Sequence, residues 1–307
     1  MNRTLFYNLI YNNHPMEILV EDGLIKEMAP QAALAENQEA TRYDCGGYLL
    51  LPAFVDSHTH PDKTIMGMDY RHDYKETDLL SIIEAERSLR GKTGLDTFTQ
   101  ASRYIERITA LGTLFTRSHV DVDTENGLKG LEGVLEAREK YDDILTMQIV
   151  AFPQSGLVVR KGTYELLDEA LKMGADVVGG LDPSSIDRDP KASIDAIFKL
   201  AEKHGKPVDI HLHEPGDLGG FALDLIADKT IALGMQGRVS VSHASDLLPL
   251  PGPGISHAAR APPRQHDGGP LFLAAGRLRA GRHVHVERHP RRLACARQPP
   301  GPVLPLV

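Results

Sequence analysis

His58 and His60 stand two residues apart just beyond the apolar run Tyr48 to Val55, within Val55-Asp-Ser-His-Thr-His-Pro-Asp-Lys63. In a strand, residues i and i+2 point to one side. Both imidazoles would therefore project together from the strand's C-terminal end, where they can grip one divalent cation. Taken alone, such a pair reads equally as two surface or core histidines. Chemistry of the same kind recurs in Asp209-Ile-His211-Leu-His213-Glu214, Val241-Ser-His243, Arg117-Ser-His119-Val-Asp121 and Ala151-Phe-Pro-Gln154. If these segments converge, His58, His60 and His211 are three neutral ligands that leave a metal room for water, whose pKa it lowers toward neutrality. Glu214, three residues beyond His211, is placed to carry protons between that water and a substrate nitrogen. His243 can polarise an oxygen or shuttle a proton. Gln154 offers both a donor and an acceptor, suited to a planar amide or amidine edge.

Plainer readings stand beside these. His119 reads as structural rather than as a ligand. His213, the i+2 neighbour of His211, shares its cavity. Lys63 reads equally as a substrate contact or a solvated loop lysine, and Asp62 as a group orienting a histidine from behind. His283, His285 and His289 look like a second metal cluster, but they sit in a segment of anomalous composition and are discounted.

The elements that must position these residues follow from hydrophobic periodicity. Residues 1–52 read as short strands: Leu5 to Tyr11, Met16 to Glu21, Leu24 to Met28 after the Asp22-Gly23 turn, and Tyr43 to Leu51. From Ala53 strands alternate with helices. The strands are Phe54 to His58, Thr113 to Val122, Met147 to Phe152, Asp176 to Leu181, Val208 to His213 and Val239 to His243. Helices are expected at Leu79 to Leu89, Leu95 to Ala110, Leu128 to Tyr141, Tyr164 to Met173, Ala192 to His204 and Phe221 to Leu233. Repeated βα units with buried, β-branched strands imply a parallel sheet with helices outside it. About six such units, with polar residues at the strands' C-terminal ends, fit an α/β fold of the incomplete (β/α)8, TIM-like barrel kind. No G-x-G-x-x-G follows the first strand, which weakens a dinucleotide-binding alternative.

Composition narrows the function classes. A net charge of −8 over 307 residues argues against a nucleic-acid or anionic-membrane surface. No apolar stretch is long enough to span a bilayer, and no signal peptide is read at the start. Two cysteines, Cys45 and Cys295, make no disulfide framework, so a cytoplasmic location is expected. Residues 249–307 differ in character: they hold nine arginines, no lysine and eleven of the 20 prolines. This Arg/Pro-rich tail reads as disordered or, more sharply, as a frame-shifted translation of GC-rich DNA. The domain reading is thus 1–52, 53–248 and the tail at 249–307.

Six segments together resemble the amidohydrolase superfamily, within it the branch of the cytosine deaminases and isopropylammelide hydrolases. They are Leu51 to His60, Thr116 to Asp123, Gln148 to Gly156, Gly174 to Gly180, Asp209 to Glu214 and Ser242-His243. The resemblance runs from about Asp22 to about Ser245. It implies one zinc or iron(II) ion on His58, His60 and His211, with Gln154 as a substrate contact, Glu214 as proton carrier and His243 near the reacting centre. Asp62-Lys63 and Asp182-Pro183 look closer to the isopropylammelide hydrolases, in which the residue matching His213 is a candidate acid or base. It also implies that residues 1–52 are part of a small β-sandwich. The implied activity is hydrolysis of non-peptide C–N bonds, a deamination of a cyclic amidine or amino-substituted N-heterocycle by metal-hydroxide attack. The expected partner is that small molecule, with no nucleic acid and no membrane; a homo-oligomer is left open. The family completes its metal site with an aspartate ending strand eight, and no Asp follows Asp267. The expectation for the chain as written is therefore poor folding and little activity, and the alternative reading is a catalytically inactive remnant.

Overall fold

A computed structural model of the chain describes residues 2–37, 39–68, 78–90 (backbone alone at 88–90) and 94–244, together with the backbone of 272–275. Cys295, Asp267, His283, His285, His289 and most of the 249–307 tail lie outside the described residues. The described residues divide into two compact units, one within 2–55 and 106–115, the other within 56–105 and 116–275.

In the first unit, β1 (Arg3–Tyr11), β2 (His14–Glu21), β3 (Leu24–Pro30) and β4 (Thr41–Leu49) form one four-stranded sheet in the order β3-β2-β1-β4. β1 pairs antiparallel with β2 and parallel with β4. Turn residues with positive φ, Asn12, Asn13 and Asp22 with Gly23, close the two hairpins, as Asn, Asp and Gly tolerate that region. Leu5, Leu19, Ala29, Leu34 and Ala40 pack together as one buried cluster.

The second sheet runs β11-β10-β9-β8-β7-β6-β5. Its strands are β5 (Phe54–Thr59), β6 (Thr113–Asp121), β7 (Thr146–Phe152), β8 (Val177–Leu181), β9 (Val208–Leu212), β10 (Val239–His243) and β11 (Phe272–Ala275). Crossovers are carried by α1 (Leu79–Arg90), α2 (Thr97–Ala110), α3 (Lys129–Lys140), α4 (Thr163–Met173), α5 (Pro190–His204) and α6 (Gly216–Ala232). β5 to β10 are the six strands expected. β11 lies in the tail, where none was expected, and pairs in parallel with β10; its few apolar residues are too short a run for periodicity to assign. α5 shows how locally such elements are written: Pro190 opens it, the Asp189 carboxylate accepts from Ala192 N at 3.0 Å, and Gly205 ends it at φ +64°, matching helix start and stop chemistry.

The sheet is curled. Strands spaced by about 4.8 Å would put β5 and β10 about 24 Å apart if flat, yet the rings of His58 and His243 lie 4.8 Å apart. Part of a (β/α)8 barrel meets that requirement. No helix among the described residues is long and apolar enough to cross a membrane.

Gly179 in β8 lies hard against the backbone of β7. A Cβ there would collide with the Ala151 carbonyl oxygen and lie 2.9 Å from Phe152 Cα, so strand β7 itself would have to move. Gly179→Ala should lower stability by at least about 2 kcal/mol, read as a drop in urea midpoint; an unchanged midpoint would refute this packing.

Candidate metal and active site

The sheet's curl brings histidines from four strands to one end. His58 is the penultimate residue of β5, and His60 follows the strand before a single 3-10 turn at Pro61–Lys63. His119 comes from β6, His211 from β9 and His243 from the last position of β10. His58, His60, His119 and His211 each offer a ring nitrogen within 4.8 Å of the others. The ring centroids of His58 lie 4.4 Å from His119 and 4.6 Å from His211. His119, expected to be structural, thus stands inside the cluster.

Burial favours the neutral form of His58, His60 and His211. It lowers His58 to about 4, helped by His119 and His243. It lowers His60 to about 2, with the Lys63 ammonium as the next cause, and it carries His211 well below the usual imidazole value. Among the described residues, both nitrogens of His119 and His211, and Nδ1 of His60, are buried with no hydrogen-bond partner. Unmated buried acceptors are costly, and neutral imidazoles with open lone pairs are what a divalent cation takes. The residues therefore fit a metal.

Asp209 lies beneath the rings, its Oδ1 3.6 Å from His119 Nε2. Burial alone would raise its carboxyl, but His119, Arg117 and Ser242 outweigh that and hold it at about 2. Arg117 donates to Asp209 at 2.6 Å and to Gln148 Oε1 at 2.8 Å, and Ser242 Oγ donates to Asp209 at 2.8 Å. One network thereby joins β6, β7, β9 and β10 under the site.

On one flank, His213 follows β9 with its ring 4.2 Å from that of His243. Asp182, fully buried after β8, meets His213 Nδ1 at 2.8 Å and accepts the His213 backbone N–H at 2.6 Å. Asp182, His243 and Ala244 all have positive φ, rare for such residues and concentrated where function fixes the backbone. Burial, then His213, lowers the pKa of His243. Glu214 turns elsewhere: its Oε1 accepts from Ser184 N at 2.6 Å and Ser185 N at 2.7 Å, while Oε2 is buried with no hydrogen bond among the described residues.

On the other flank, Lys63 donates to Glu86 Oε2 at 2.9 Å and to Asp121 Oδ2 at 3.4 Å. Burial would lower its ammonium, yet Asp121, Glu86 and Asp62 raise it. It is no solvated loop lysine. Asp121 Oδ1 stands 4.0 Å from His60 Nδ1, whereas Asp62 accepts the Asp121 backbone N–H at 3.1 Å. Gln154 donates its Nε2 to Glu86 at 3.2 Å. Sequence reading did not assign roles to Asp182, Asp209 or Glu86. Asp182 sits at a strand's C-terminal end, the signal that found the others; Glu86, on a helix, carries no such signal.

The sequence profile of the Amidohydrolase family matches residues 42–262. The N-isopropylammelide isopropyl amidohydrolase of Pseudomonas sp. (strain ADP) is 34% identical over 259 residues, covering 83% of this chain and 62% of that protein. The crystal structure of N-isopropylammelide isopropylaminohydrolase from Burkholderia multivorans ATCC 17616 superposes with a TM-score of 0.75 at 41% identity, over 80% of this chain and 61% of that one. That of 5-methylcytosine deaminase from Klebsiella pneumoniae gives 0.64 at 29% identity, over 78% and 58%. The chain thus spans about three fifths of the length of these relatives.

Two predictions follow from the geometry. Purified chain incubated with zinc and desalted should retain about one ion per chain, and His211→Ala should cut affinity at least about tenfold, by chelator competition; equal affinity would exclude His211 as a ligand. Tyr104 on α2 donates to Asp56 in β5 at 2.6 Å. Burial, then this bond, pushes its phenol up to about 12. A raised folded-state pKa stabilises fully below the unfolded value of about 10 and is lost as pH rises through about 12. Tyr104→Phe should flatten that alkaline loss of stability, and a slope identical to wild type would contradict the bond.

Proposed function

This chain belongs to the amidohydrolase family, and on that premise we propose that it hydrolyses a non-peptide C–N bond in a cyclic amidine or amino-substituted N-heterocycle. The observation that carries the reading is the meeting of a neutral imidazole cluster with the His213–Asp182 pair at one end of the sheet. Relatives named for N-isopropylammelide and 5-methylcytosine support the substrate class.

His58, His60 and His211 would hold one zinc or iron(II) ion, with His119 within reach. A bound divalent metal supplies Lewis acidity, making water nucleophilic at neutral pH. The chain's own residues do the rest. Gln154 and Lys63 bind and orient the ring. His243 approaches the reacting carbon's substituent. His213 moves the proton: Asp182 fixes its Nδ1, leaving Nε2 to accept a proton from water and return it to the departing nitrogen. Water adds at the ring carbon, the C–N bond breaks, and ammonia or an amine leaves. We assign proton transfer to His213 in preference to Glu214, because two backbone N–H groups engage one Glu214 oxygen and leave it the better holder of the loop after β8. Under this reading the four-stranded sheet belongs to a small sandwich within residues 1–52, and 53–248 is the barrel part.

A panel of aminopyrimidines and alkylamino-triazines, offered to zinc- or iron(II)-loaded chain, should release ammonia or amine from at least one member. His213→Asn should then lower kcat by about 10²–10⁴-fold with metal content unchanged. Metal retention without release from any substrate would overturn the reaction; failure to retain metal as well would favour the inactive remnant.

A further inference from the structure

Glu86 belongs to no motif of the sequence, yet its Oε2 is the meeting point of two proposed substrate contacts, 2.9 Å from Lys63 Nζ and 3.2 Å from Gln154 Nε2. The helix that carries it is fixed from several sides. Ile83, three residues earlier, is buried with Phe152, Leu181 and Ile186. Arg87 reaches Asp123 at 3.6 Å and Glu125 at 3.4 Å, and Glu84 pairs with Arg160. Glu86 is therefore held in place, and it constrains what it touches.

A glutamine amide has a donor side and an acceptor side. A carboxylate is an acceptor only, so it admits the Gln154 nitrogen and repels the oxygen. With Nε2 turned to Glu86, the opposite side of the amide is Oε1, an acceptor. Lys63 meanwhile directs its N–H groups at Glu86 and Asp121, which reduces what it can give to a ligand's carbonyl. The edge is thus weighted toward acceptors.

We propose that Glu86 is a specificity-determining residue that locks the Gln154 amide with its oxygen toward the ligand, so that the site selects rings presenting an N–H at that edge. The assignment rests on the reading of Gln154 as a substrate contact. It concerns which heterocycles are held, not how the bond breaks.

Uracil and 1,3-dimethyluracil test it, because they share a ring and carbonyls, differ in N–H, and carry no leaving amine, so binding is read without turnover. By calorimetry on metal-loaded chain, wild type should prefer uracil by about tenfold or more. Glu86→Gln, which permits the Gln154 amide to turn over, should shrink the preference to about threefold or less. Glu86→Asp, which keeps the carboxylate, should retain most of it. Absence of preference or of uracil binding in wild type, which needs no variant to fold, would overturn the proposal, as would full preference in Glu86→Gln. A Glu86-dependent preference without amine release from any substrate would leave this assignment standing and remove the reaction; amine release without the preference would do the reverse.

Discussion

Imidazoles crowded together repel one another as soon as they take up protons, and the site depends on their not doing so. His58, His60 and His211 share one buried space, and desolvation is the first cause that lowers each of them. The fold supplies the desolvation by curling the sheet until β5 and β9, four strands apart in order, face each other across ring distances of 4.6 Å. Neutral rings without hydrogen-bond partners are unfavourable in a core. A divalent cation bound to the open lone pairs would relieve that cost.

The charges around the cluster are arranged in keeping with this. Cationic Lys63 and Arg117 are kept from the rings' lone pairs by carboxylates, Asp121 and Glu86 for the first and Asp209 for the second. Asp182 plays a different part, since it directs one nitrogen of His213 and thereby frees the other. Asp182 just after β8, Asp121 at the end of β6 and Asp209 near the start of β9 thus divide the work of orienting a histidine, neutralising a lysine and anchoring an arginine. Buried networks of this kind specify one arrangement strongly because any unmatched member is costly.

Much of this was legible in the sequence where local chemistry decides. Hydrophobic alternation located β5 to β10 to within two residues, and helical periodicity placed α5 from Ala192, two residues inside its observed start at Pro190. The i+2 rule found His58 with His60 and placed His211 and His213 together. What stayed hidden depends on which distant groups meet. Asp121 joins Asp62 beside His60, their oxygens and a ring nitrogen all within 4.8 Å of one another, because Asp62 accepts the Asp121 backbone N–H and so draws the end of β6 to the turn after His60. Glu214 is adjacent to His213 yet bonds Ser184 and Ser185, since successive residues beyond a strand no longer alternate predictably. Glu86 enters from a helix, and His119 joins the cluster because β6 lies next to β5 in the curled sheet.

X-ray absorption at the zinc edge of the loaded chain tests the central claim most directly. A first shell dominated by three or four imidazole nitrogens at about 2.0–2.1 Å, with multiple-scattering features of histidine that weaken in His211→Ala, is the predicted result. A shell dominated by oxygen or sulfur, or one unchanged in His211→Ala, would contradict the account that the histidine cluster is built to hold a metal.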